Sequence, residues 1–170
     1  AVKIDSLAYM PAQDFGNAFS TFIGQNYGAK KTDRIQQGIK SAIKISFLFC
    51  LIISVGVFIF ARPLMTIFID SSETEIIDIG VDYLRIEGSF YFGIGILFLL
   101  YGFYRATNFP SMSVILTIIS LGTRVGLAYY LASIPSIGVI GIWWSIPIGW
   151  ALADIFGIVY YKRKIKQLHF

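Results

Sequence analysis

Uncharged apolar residues fill five long stretches of the chain, and charged residues gather in the short intervals between them. None of the five alternates with the two-residue period of a strand, so each reads as a helix. The predicted helices cover about residues 4–28, 38–61, 83–105, 111–133 and 137–161. The uncharged run from Ile45 to Ala61 is the clearest. At 1.5 Å per residue it reaches about 26 Å, and Lys44 and Arg62 at its edges can snorkel across the rest of a ~30 Å hydrocarbon layer. Between the second and third stretches lies an acidic connector carrying Asp70, Glu73, Glu75, Asp78, Asp82 and Glu87 against Arg85 alone. Ile76, Ile77, Gly80 and Leu84 fall at helical spacing there, which predicts a short amphipathic helix leading into the third span.

The first stretch has a finer pattern. Ala8, Ala12, Gly16, Ser20, Gly24 and Gly28 form a ridge of small residues at a spacing of four. Gln13, Asn17, Thr21 and Gln25 form an uncharged polar seam beside it, and Phe15, Phe19, Phe22 and Ile23 lie on the other side. Residues four apart share one face of a helix. Small ridges and polar seams suit helix association in a bilayer, where close packing and interhelical hydrogen bonds hold helices together. Pro11 is expected to kink this helix and Gly28 to cap it. The fifth stretch repeats the device, with Gly141, Ser145, Gly149, Ala153 and Gly157 in register. Its ridge is the expected counterpart of the first.

Composition strengthens the membrane reading. The chain is 170 residues long, 56% hydrophobic and only 14% charged, with a mean hydropathy of +0.70. About a quarter of an ordinary globular chain is charged. The fold class is therefore an all-α membrane protein, a bundle of five transmembrane helices, with the lipid bilayer as its surroundings. Trp143, Trp144, Tyr160 and Tyr161 flank the fifth helix as an aromatic belt would. The first residues carry Gln13, Asp14 and Asn17 in place of a short apolar core, which does not suit a signal peptide. With no initiator methionine, the chain is expected to be part of something longer.

Charge sets the expected orientation. Five alternating spans put Lys30, Lys31, Arg34, Lys40, Lys44, Arg105 and the tail Lys162, Arg163, Lys164 and Lys166 on one side. Lys3, Arg62 and Arg85 are on the other, and Arg124 lies within the fourth span. The excess makes the first side, with the C-terminus, cytoplasmic. This role accounts for the basic stretch after the first helix, and no nucleic-acid partner is expected.

Few residues offer chemistry. Asp14 and Asp154 are the acids assigned to the interiors of spans, with Asp154 toward the cytoplasmic end. Acids in spans are costly and often functional. Asp14 is read as a proton, cation or cationic-substrate contact, or as an acid held by a neighbouring helix or a wet cavity. Gln13 and Asn17 line a polar cavity or tie helices together. Arg124 meets a substrate anion, pairs with an acid elsewhere, or snorkels. Tyr91, Tyr101 and Tyr104 suit an aromatic cavity or plain packing. Cys50 reads as a small buried hydrophobe, and His169 stands alone in the tail. There is no metal-ligand cluster, phosphate loop, histidine-activated nucleophile or intramembrane aspartate pair, so the chain is not read as an enzyme and no cofactor is expected.

The segment MPAQDFGNAFSTFIGQNYGAKKTDRI (Met10–Ile35) and the turn YGFYRATNFP (Tyr101–Pro110) resemble the multidrug and toxic compound extrusion (MATE) family of secondary transporters. The resemblance extends over essentially the whole chain and implies a twelve-helix protein of two six-helix lobes. The chain would be the second lobe without its first helix, the N-terminal lobe being absent. It further implies a bacterial cytoplasmic-membrane antiporter exporting cationic, amphipathic drugs against H+ or Na+. Some members carry an acid in the tenth helix; Gly95 stands at that place here, and no acid lies between Gly88 and Tyr104. That departure suggests coupling through an acid of the first lobe and leaves the coupling ion unassigned. On this resemblance the substrate-side candidates are Gln13, Asp14, Asn17, Tyr101 and Arg124, with Arg105 capping the cytoplasmic turn. A lipid-linked oligosaccharide flippase of a related superfamily and a non-transporting membrane scaffold are the alternatives.

Overall fold

A computed structural model describes residues 1–165, and these are helical throughout apart from short connections. The helices are α1 (Val2–Gly28), α2 (Thr32–Thr66), α3 (Thr74–Gly88), α4 (Tyr91–Ala106), α5 (Pro110–Ala132) and α6 (Val139–Tyr160). A π-helical turn, Tyr161–Ile165, follows α6. Lys166 and His169 lie outside the described residues.

Three details of these helices differ from expectation, each for a local reason. α1 runs unbroken through Pro11 and ends at Gly28 as expected, but Gly28 is not the left-handed cap: Lys30 takes that conformation (φ 54°), and the Lys31 N–H reaches back to the Asn26 carbonyl at 2.9 Å. α2 begins earlier than residue 38 and continues beyond 61, because Pro63 bends the helix without stopping it; the backbone leaves helical geometry at Phe60 (φ −95°, ψ 15°). The stretch 83–105 is divided between the last turns of α3 and the whole of α4, which meet at a 50° bend. In the connector, the Ser72 backbone N–H and hydroxyl both donate to Asp70 Oδ1, at 2.9 and 2.8 Å, and hold that carboxyl below its ordinary range.

α2, α5 and the segment Val139–Arg163 are long and apolar enough to cross a membrane, and the bent pair α3–α4 qualifies as one further span. α1 is long enough, at 27 residues, but does not pass on composition because of its polar seam.

α4 is the centre of the bundle, packed against α1, α2, α5 and α6. The two small-residue ridges do not face one another. That of α1 lies on α4: a methyl group on Gly16 would meet the Phe98 carbonyl oxygen at 2.9 Å. That of α6 lies on α5, where a methyl group on Gly149 would meet the Ser120 carbonyl oxygen at 2.6 Å. Each ridge instead brings its helix against a neighbour's backbone. Tyr104, fully buried on α4, donates to the Gly157 carbonyl at 2.6 Å and locks α4 to α6.

Candidate functional site

The buried residues of α1 are Ile4, Asp5, Ala12, Gly16, Phe19, Ile23 and Asn26, which share one helical face. That phase leaves Gln13, Asp14, Asn17, Thr21 and Gln25 exposed on the bundle surface. Asp14 and Gln13 make no hydrogen bond or ion pair among the described residues. Asp14 is thus neither buried nor held by a neighbouring helix within the described bundle.

Asn17 and Tyr101 are brought together through Arg105. The Arg105 Nη2 group donates to Asn17 Oδ1 at 3.0 Å, and its Nε donates to the Tyr101 carbonyl at 3.2 Å. Arg105 therefore ties α4 to the α1 seam in addition to standing in the last turn of α4. Half-buried Tyr101 packs on Phe98, which in turn packs on Tyr9. Its hydroxyl points toward Thr117 of α5, with Asp154 of α6 nearby. The result is a polar and aromatic strip along α1, α4 and α5.

Arg124 belongs to a different group at the start of α1. Asp5 is 5% exposed and accepts a hydrogen bond from the Tyr91 hydroxyl at 2.7 Å. Glu87 is 1% exposed, and its Oε1 has no partner. The Tyr83 hydroxyl is within reach of both carboxyls, and the Arg124 charge draws on both. A third buried acid, Asp154, is 7% exposed with Oδ1 unpartnered; it lies on the face of α6 toward Gly93 of α4. Asp5 and Glu87, not singled out from the sequence, therefore join Asp154 as buried acids, whereas Asp14 is exposed. No cluster of metal-ligating side chains occurs among the described residues.

The cavities lie elsewhere. One of about 520 Å³ separates α1 from α2 and is lined by Phe15, Phe19, Phe22, Arg34, Gln37 and Ile45 among others. It opens on the phenylalanine side of α1, opposite the polar seam. An apolar cleft of about 290 Å³ lies between α2, α4 and α6. Neither contains any of the candidate residues.

Comparison with known proteins gives a consistent result. A family model described as MatE matches residues 1–130. The chain is 29% identical to a probable multidrug resistance protein NorM of Thermotoga maritima over 84% of its length, and 25% identical to a probable multidrug resistance protein YoeA of Bacillus subtilis over 98%. It covers 30% and 36% of those proteins, about a third of their length. Among solved structures, an outward-facing multidrug resistance MATE family transporter of the MOP superfamily superposes with a TM-score of 0.91 at 26% identity, over 99% of this chain and 38% of that one. An inward-facing structure bearing the same description gives 0.88 at 24% identity, over 98% of this chain and 38% of that one.

Proposed function

The chain belongs to the MatE family, and from that premise we propose that it supplies most of the second lobe of a multidrug exporter in a bacterial cytoplasmic membrane. The whole protein would expel cationic, amphipathic drugs in exchange for H+ or Na+, with the C-terminus of this chain cytoplasmic. The drug pathway would run between this lobe and the N-terminal lobe, so the chain alone would not transport.

One observation carries this reading. The polar seam of α1, with Gln13, Asp14 and Asn17, is exposed while the opposite face of the same helix is buried in the bundle. A polar seam turned outward from a membrane bundle needs a partner other than lipid, and a second lobe across a wet cavity provides one. Tyr101 continues the strip with an aromatic face suited to a flat cation. Asp14 supplies the negative charge, unpaired with any cation among the described residues. Arg124 stands apart from this strip and serves the Asp5–Glu87 group instead.

The test is drug export by the full-length protein. Asp14→Asn is expected to reduce efflux of a dicationic drug more than that of a monocationic one. Unchanged efflux of both would remove Asp14 from binding and coupling. A native gene confined to these residues would sink the exporter reading altogether.

A further inference from the structure

We propose that Asp5 and Glu87 together hold one proton, forming a proton site at the junction of α1, α3 and α4, separate from the α1 seam. The groups facing it are Asp5 from α1, Tyr83 and Glu87 from α3, Tyr91 from α4 and Arg124 from α5. From α6 the nearby group is Trp143, whose ring meets Tyr83 edge-on at 6.0 Å and carries no charge. Asp5 also feels the amino group of Ala1, which becomes a neutral peptide nitrogen wherever the chain continues upstream.

The charges do not balance. Among the described residues the one guanidinium near enough to offset these two buried carboxyls is that of Arg124, which is exposed and forms no ion pair with either, so at least one negative charge is in excess. Both carboxyls are almost wholly excluded from solvent, and an unpaired charge in such surroundings is strongly disfavoured. The unpartnered Glu87 Oε1 marks where compensation is missing, because the tyrosine hydrogen bond in this group, from Tyr91, goes to Asp5. Two neighbouring carboxyls in this situation share one proton and titrate as a unit. A proton fits better than a sodium ion, since the Arg124 charge opposes a second full cation and the Tyr91 hydroxyl already occupies an Asp5 oxygen. Glu87 stands one turn before the 50° bend between α3 and α4, while Asp5 lies on another helix. Protonation therefore alters the tie between α1 and that bend.

That this proton drives export rests on the antiport reading; that it binds does not. The test is infrared difference spectroscopy of the full-length protein between acidic and alkaline buffer, with the proton itself as probe. The wild type is expected to show a protonated-carboxyl band that is lost in Glu87→Gln and shifted or lost in Asp5→Asn. Arg124→Gln, a change at an exposed side chain, is expected to move the titration to more alkaline pH. The proposal is overturned if the band persists in both carboxyl variants. It is equally overturned if Arg124→Gln leaves the titration in place, or if sodium displaces the proton at fixed pH. Absence of proton-driven drug exchange by the wild type in proteoliposomes would instead count against the exporter reading and leave the band intact.

Discussion

Gly102 of α4 approaches Gly16 of α1 so closely that a methyl group on Gly102 would lie 2.5 Å from the Gly16 carbonyl oxygen. The obstacle is backbone, so the clash is relieved only by separating the two helices. Gly102→Ala is expected to destabilise the protein by about 1–3 kcal/mol, the usual cost of overpacking a tight core. Gly56 of α2 is the control, because no atom lies within 4 Å of the added methyl. There the gain in helix propensity should prevail, and Gly56→Ala should stabilise by roughly 0.5–1 kcal/mol. Thermal unfolding of the detergent-solubilised full-length protein gives both signs; equal effects would refute the contact.

Tyr91→Phe removes the donor to a buried carboxyl. The aromatic packing remains, so the loss isolates the hydrogen bond to Asp5. A cost of about 1–3 kcal/mol is expected, since a buried charged acceptor is left short of a partner. Tyr104→Phe removes a bond to the neutral Gly157 carbonyl and should cost about 0.5–1.5 kcal/mol. The same unfolding assay ranks the pair, and a reversed order would contradict the burial of Asp5 as an acceptor in need of Tyr91.

The contrast between Asp5 and Asp14 shows what the sequence could and could not reveal. The small ridge of α1 was visible as Ala12 and Gly16, and projecting that phase back seven residues from Ala12 places Asp5 on the buried face. The same periodicity turns Asp14 outward, although Asp14 lies nearer the centre of the span. Glu87 was legible in the same way, since Ile77, Gly80, Leu84 and Glu87 share one face of α3. Ile76, from the same periodic set, is half exposed. Periodicity also marked the two ridges as packing surfaces, but not their partners. Which helix meets a smooth face depends on connection geometry and on neighbours such as Gly102 and Ser120, and a ridge does not encode them. The Arg105–Asn17 bond was hidden for a similar reason: its members are far apart in the chain, and only the parallel packing of α1 and α4 aligns them.

Asn17→Ala should separate stability from transport. The Asn17–Arg105 bond lies at the surface of the bundle, where such contacts contribute roughly 0–1 kcal/mol. Unfolding should therefore change little. If the α1 seam lines the drug pathway, the concentration of drug giving half-maximal efflux should still rise several-fold. A variant normal in both respects would confine Asn17 to a passive surface role.

Orientation can be read independently of any transport assay. The lysine-rich turn after α1 and the acidic connector after α2 lie at opposite ends of α2. On the proposed orientation, the excess of lysine and arginine near the first puts it on the cytoplasmic side. Cys50 is the chain's one cysteine and is only 2% exposed, so it contributes little background to labelling within this lobe. In a full-length protein cleared of any other cysteines, Ser71→Cys should react with a membrane-impermeant maleimide on intact cells. Lys31→Cys should react only after the cells are opened, because both positions are exposed on the bundle but the bilayer separates them. The reverse pattern would invert the topology and place the start of α1, with Asp5 and Glu87, toward the cytoplasm.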